Sequence, residues 1–195
     1  MIKYYSFILL IFFLLLSCEK SKYPINPKVT NIIIAKEGKH AAYFDKKEWM
    51  LKKNYNFFKC KPSNFQININ INNYFNKYIE EYLNKSFQDI KFLQNPITLS
   101  HQQNNNYDTF INITKEKATV SFSYDGDVST FSIRLEGKIN IQKKDGQQFS
   151  SLIVANGIGE KNNFFNCEPK TTAKIAYENA LSKYLTLIFK NINEF

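Results

Sequence analysis

The chain has 195 residues and a formal net charge of +9 at pH 7, from 26 Lys and Arg against 17 Asp and Glu. This length suits one domain of ordinary size with a single core. Apart from Arg134 every cation is a lysine, and the chain is rich in Asn, Ile, Phe and Tyr, residues with AT-rich codons, so the basic balance reads partly as genome composition and argues poorly for nucleic-acid binding.

In chain order, Met1-Ile2-Lys3 is a short positive start and Tyr4 to Leu16 an apolar run broken only by Ser6. The run falls short of the about 20 residues that cross a bilayer, but it has the length of a secretory signal core. Ser17, a small residue, then precedes Cys18. Leu15-Leu16-Ser17-Cys18 resembles the lipobox of bacterial lipoproteins, with Leu16 bulkier than the family's usual residue at that place. The resemblance implies that residues 1–17 are a cleaved signal peptide and that Cys18 carries the lipid, palmitate included. Acyl chains contribute about 0.8 kcal/mol per buried methylene, so two or three hold a protein on a membrane without a spanning helix. It further implies a bacterial envelope location; Glu19, in place of the aspartate that resembles an inner-membrane retention signal, favours the outer membrane over the inner.

Residues 18–28 read as a tether, with Pro24 and Pro27 resisting regular structure, and residues 29–195 as the domain. Val29 to Ile34 has the β-branched density of a strand. Lys46 to Lys61 mixes lysines with aromatics. Lys46, Lys47, Trp49, Lys52, Lys53, Lys59 and Lys61 form a candidate patch for a membrane or an anionic ligand, because lysine stems and rings lie well at a headgroup layer. The same segment equally suits a strand whose aromatics enter the core. Phe65 to Ile71 alternates strictly and predicts a half-buried strand. Tyr74, Phe75, Tyr78, Ile79, Tyr82 and Leu83 then recur at three and four, predicting an amphipathic helix capped by Asn72 or Asn73. Ile90 to Leu93 reads as a short strand and Asn95 to Asn106 as a loop.

Four strands follow: Phe110 to Thr114, Ala118 to Tyr124, Thr130 to Ile141 and Phe149 to Ala155. Asp125-Gly126 and Asp145-Gly146 mark hairpin turns between the later three. Gly157-Ile158-Gly159 reads as a further turn. Glu168-Pro169 opens a terminal helix to about Lys190, with Ala173, Ala176, Tyr177, Ala180, Leu181, Tyr184 and Ile188 as its core stripe. The predicted fold is α+β, a mainly antiparallel sheet covered by one or two helices in a single domain. This order of elements resembles the YajG-like and LPS-assembly-lipoprotein-like small envelope lipoproteins. That resemblance implies a binding or assembly role and transfers no functional residue.

With Cys18 lipidated, Cys60 and Cys167 remain as a candidate disulfide in an exported protein, the alternative being two free thiols. His40 and His101 are each isolated, and no spacing of His, Cys and carboxylates matches a metal site. Ser100-His101 lacks a third group and a nucleophile elbow. Glu80 and Glu81 point in different directions on the helix, Asp125-Gly126-Asp127 lacks the rest of a calcium loop, and Gly157-Ile158-Gly159 lacks a dinucleotide context. The expectation is a non-catalytic envelope lipoprotein without cofactor, partnered by the membrane through its anchor and by an envelope protein or amphiphile. A glycan- or lipid-acting hydrolase and a structural surface antigen are the alternatives.

Overall fold

The computed structural model describes residues 35–56, 64–96, 106–125, 128–162 and 168–195. The signal, the tether, the Val29–Ile34 strand, Cys18, Lys59, Cys60, Lys61, Ser100, His101 and Cys167 lie outside them. The elements run β1 (Lys36–Phe44), β2 (Met50–Asn56), β3 (Asn64–Asn70), α1 (Asn72–Ser86), β4 (Phe87–Phe92), β5 (Thr109–Asp125), β6 (Val128–Lys143), β7 (Gln148–Asn162) and α2 (Pro169–Glu194). The class is α+β, as expected.

Five strands form one sheet in the order β4-β1-β5-β6-β7, and β2 with β3 forms a separate hairpin. β5, β6 and β7 are the expected antiparallel meander, in register from Asp125 opposite Val128 to Gln142 opposite Gln148. The two strands expected at 110–114 and 118–124 are one strand, bent by a bulge between Lys115 and Lys117. The sheet is mixed, because β1 runs parallel to both β4 and β5. Alternation writes the covered face directly: Phe131, Ile133, Leu135, Ile139 and Ile141 of β6 are buried, while Arg134 and Lys138 lie on the open face, in ion pairs with Glu136 and Glu116 at 2.7 Å each.

Asp145-Gly146 makes the β6–β7 turn, where Gly146 takes a φ of +90°. The Gly157-Ile158-Gly159 turn is a correction: these residues are paired strand, opposite Ile133, Ser132 and Phe131. Their glycines serve the approach of α2. A Cβ on Gly157 would lie 2.1 Å from the carbonyl oxygen of Ala176, and one on Gly159 2.2 Å from that of Thr172. Ala173, Ala176 and Ala180 complete the close contact, and every residue of the expected α2 stripe is buried.

α1 begins without the expected asparagine cap. Ile71 is its N-cap, with no side-chain cap bond. Asn70 Oδ1 instead accepts from the Asn72 amide at 3.0 Å, which frees the Asn72 side chain for the core. Phe75, Ile79, Tyr82 and Leu83 are buried, whereas Tyr74 is half exposed. Tyr82 fastens the two helices together: its ring stacks on Phe189 at 3.7 Å, and its hydroxyl donates to Asn193 Oδ1 at 2.6 Å.

Candidate functional site

The lysine-aromatic segment divides in the structure. Lys46, Lys47, Lys52 and Lys53 are exposed, and Lys53 Nζ sits 5.6 Å over the Tyr55 ring. Lys46 bonds Gln94. Trp49 leaves the patch: it is 6% exposed, with ring centroids 5.4 Å from Tyr184 and 5.9 Å from Phe75. Indole surface gains more against these rings than in water, so the residue joins the core. Tyr55 also turns inward, stacked on Phe65 at 5.3 Å.

Below this segment lies a polar cluster that sequence reading missed. Lys115, at the β5 bulge, is 6% exposed, donates to Asn72 Oδ1 at 2.8 Å and lies 5.5 Å over the Phe75 ring. The same Asn72 oxygen accepts from the Trp49 amide at 3.2 Å, while Asn72 Nδ2 donates to the Lys47 carbonyl. Burial pushes the Lys115 ammonium down to about 8, and the charge of Asp45 opposes the shift in part. Its surroundings of Trp49, Phe75 and β5 make it a fixed core member.

His40 is also buried. Its Nε2 lies 2.8 Å from the Glu37 carbonyl, which only accepts, so that nitrogen carries the proton; the ring packs on Phe87 at 4.5 Å. Among the described residues no group of three or more His, Cys, Asp or Glu is placed to hold a metal ion. Glu80 and Glu81 are both exposed, and Glu81 pairs with Lys77 at 3.9 Å. No described helix is long and apolar enough to cross a membrane.

The residues that converge on open space come from three elements far apart in sequence. A groove of about 680 Å³ runs between β3 and the first turns of α2, within the range of ligand pockets. Asn64–Asn70 forms one wall, Lys170, Ala173, Lys174 and Tyr177 the other, and Tyr74 of α1 joins them. Lys170 and Lys174, one helical turn apart, are both exposed. Among the described residues no carboxylate lines the groove. The Tyr177 hydroxyl is buried without a hydrogen-bond partner, and desolvation raises its pKa so far that it stays a neutral O–H donor. The Tyr74 and Tyr177 ring centroids lie 6.4 Å apart.

A second groove, of about 620 Å³, follows the outer edge of β7 beside α2, between Val154 and Leu187. Its edge is already engaged: Asn179 Nδ2 donates to the Ile158 carbonyl at 2.9 Å and Lys183 Nζ to that of Asn156 at 3.1 Å. Such side chains blunt an exposed strand against further pairing.

No protein-family model and no curated protein matches the chain. Among solved structures it is similar to a Xanthomonas campestris protein of the DUF330 family, 7% identical with a TM-score of 0.50, over 90% of this chain and 97% of that one. A minor lipoprotein from Acinetobacter baumannii aligns more loosely, 9% identical with a TM-score of 0.42, over 80% of this chain and 93% of that one. At 7% identity the first likeness concerns the fold alone.

Proposed function

We propose that the chain is a bacterial envelope lipoprotein, anchored through Cys18 on the outer membrane, whose domain has a non-catalytic binding role. The observation that carries the binding role is the β3–α2 groove. It combines apolar and amide side chains with two exposed lysines, a set suited to holding a ligand, and the described residues that line it include no nucleophile–base pair. The anchor rests on the Leu15-Leu16-Ser17-Cys18 lipobox, and the exposed lysines of the β2 segment suit a nearby anionic surface.

Two measurements test the two halves separately. Metabolic labelling with a palmitate analogue is expected to mark the wild type and spare Cys18→Ala; equal labelling overturns the anchor. A photo-crosslinking residue at Gln66, in the groove, is expected to trap a discrete adduct in intact cells, whereas one at Arg134 on the open sheet face traps none. Identical patterns at the two positions overturn the assignment of the groove.

A further inference from the structure

We infer that the groove receives an extended, acidic stretch of a partner polypeptide as an added strand on β3; this rests on the binding role proposed above and names its ligand. Every residue from Asn64 to Asn70 lines the groove in unbroken succession. A strand presents only alternate side chains to a surface it faces, so an unbroken run means that the groove follows the edge of the strand, where the main chain is offered. β3 has β2 as its only strand partner among the described residues. The contrast with β7 is direct, since there α2 side chains occupy the outer carbonyls.

A strand edge facing a helix across a cleft is the geometry by which an extended peptide extends a sheet, with main-chain hydrogen bonds supplying affinity and side-chain pockets supplying selectivity. The seven residues of β3 offer a span of about 23 Å at roughly 3.3 Å per residue, enough for a peptide of comparable length. Selectivity comes from the opposite wall. Lys170 and Lys174 stand there, and no described carboxylate lines the groove, so acidic side chains on the incoming strand are favoured and basic ones repelled. Apolar side chains of that strand meet the Tyr74 ring, which is half exposed at the groove.

The test uses the full chain in nanodiscs, with empty nanodiscs subtracted. The probe is a short fluorescein-labelled peptide alternating valine and glutamate, compared with its valine–lysine counterpart and with a form N-methylated at alternate residues, which cannot donate along one edge. The first peptide is expected to bind at least about tenfold more tightly than the other two and to slow amide exchange within residues 64–70. Lys170→Glu combined with Lys174→Glu, both at exposed positions, is expected to leave the circular dichroism unchanged and to reverse the preference between the acidic and basic peptides. Equal binding of the N-methylated form, or protection confined to other strands, overturns the inference. If the peptides fail while octyl phosphate protects residues 64–70, strand addition falls and the binding role stands. If no probe engages and the crosslinker at Gln66 traps nothing, both fall.

Discussion

Replacing Gly157 by alanine adds one methyl group where the structure has no room for it. The new Cβ would stand 2.1 Å from the Ala176 carbonyl oxygen, 2.2 Å from the Ala180 nitrogen and 2.7 Å from its Cα, against 3.4 Å for ordinary contact. All three are main-chain atoms, so no rotamer change relieves them, and α2 must retreat from β7 by about an ångström. A gap of that size forfeits a quarter to a half of the dispersion well for each facing atom. Thirteen residues of α2 are buried, and those facing β6 and β7 share the loss. The cost therefore exceeds the roughly 1–3 kcal/mol of ordinary overpacking and reaches about 3–5 kcal/mol, after an offset of under about 1 kcal/mol from the stiffer unfolded chain. Urea unfolding followed by the fluorescence of Trp49, the sole tryptophan and packed on Tyr184 of α2, measures it. Gly146→Ala is the control for backbone strain alone: its φ is +90° and its Cβ meets nothing within 4 Å, so about 1 kcal/mol is expected. A Gly157→Ala loss no larger than that of the control refutes the close-approach argument. So does rescue by Ala180→Gly, which removes none of the clashing atoms.

Lys115→Met is expected to stabilise the protein at pH 7 by about 1–3 kcal/mol, because it ends the desolvation of a charge while keeping most of the packing. The folded-state value near 8 lies below the ordinary 10.5, so the unfolded chain binds more protons between them. Wild-type stability should thus rise from pH 8 towards 10 and the Met variant should rise less, keeping the share that burial of Lys36 contributes with the same sign; an unchanged slope in the variant refutes the assignment. Above pH 10 both should weaken, since burial holds Tyr82, Tyr177 and Tyr184 protonated in the fold while the unfolded chain ionises. Tyr82→Phe is expected to cost about 1–2 kcal/mol through the part-buried bond to Asn193, and an effect below about 0.5 kcal/mol by the same titration counts against it. Lys52→Gln with Lys53→Gln should change stability by less than about 0.5 kcal/mol, whereas Trp49→Ala should cost about 3–5 kcal/mol; equal effects in thermal unfolding would contradict the division of that segment.

The sequence disclosed those elements whose two faces meet different media. β6 alternates because one face is covered and the other wet, and the α2 stripe repeats because one side of the helix is buried. β1 was illegible for the opposite reason. It lies between two parallel neighbours with Ala41 and Ala42 both fully buried, and its opening Lys36-Glu37-Gly38-Lys39 has the composition of a turn. A parallel strand buried on both faces carries no period-two signal. Gly157 and Gly159 misled in a related way: glycine marks either a turn or a close approach, and only the position of α2 decides between them.

The groove was still less readable, since its walls come from residues 64–70, 74 and 170–177, joined by no spacing rule. Its one local trace is the pair Lys170 and Lys174, indistinguishable in sequence from any solvated helix face. What gives that pair meaning is an absence of competition among the described residues: no acidic side chain lines the groove, and β3 across from them has only β2 as a strand partner. The same helix treats its two neighbouring strand edges differently. Asn179 and Lys183 reach the β7 carbonyls and close that edge, while earlier on the helix Lys174 and Lys170 flank an edge that no other described strand pairs with. A helix that merely solubilised the sheet would have reason to blunt both edges, so the asymmetry is itself an argument that the β3 side is kept for a partner.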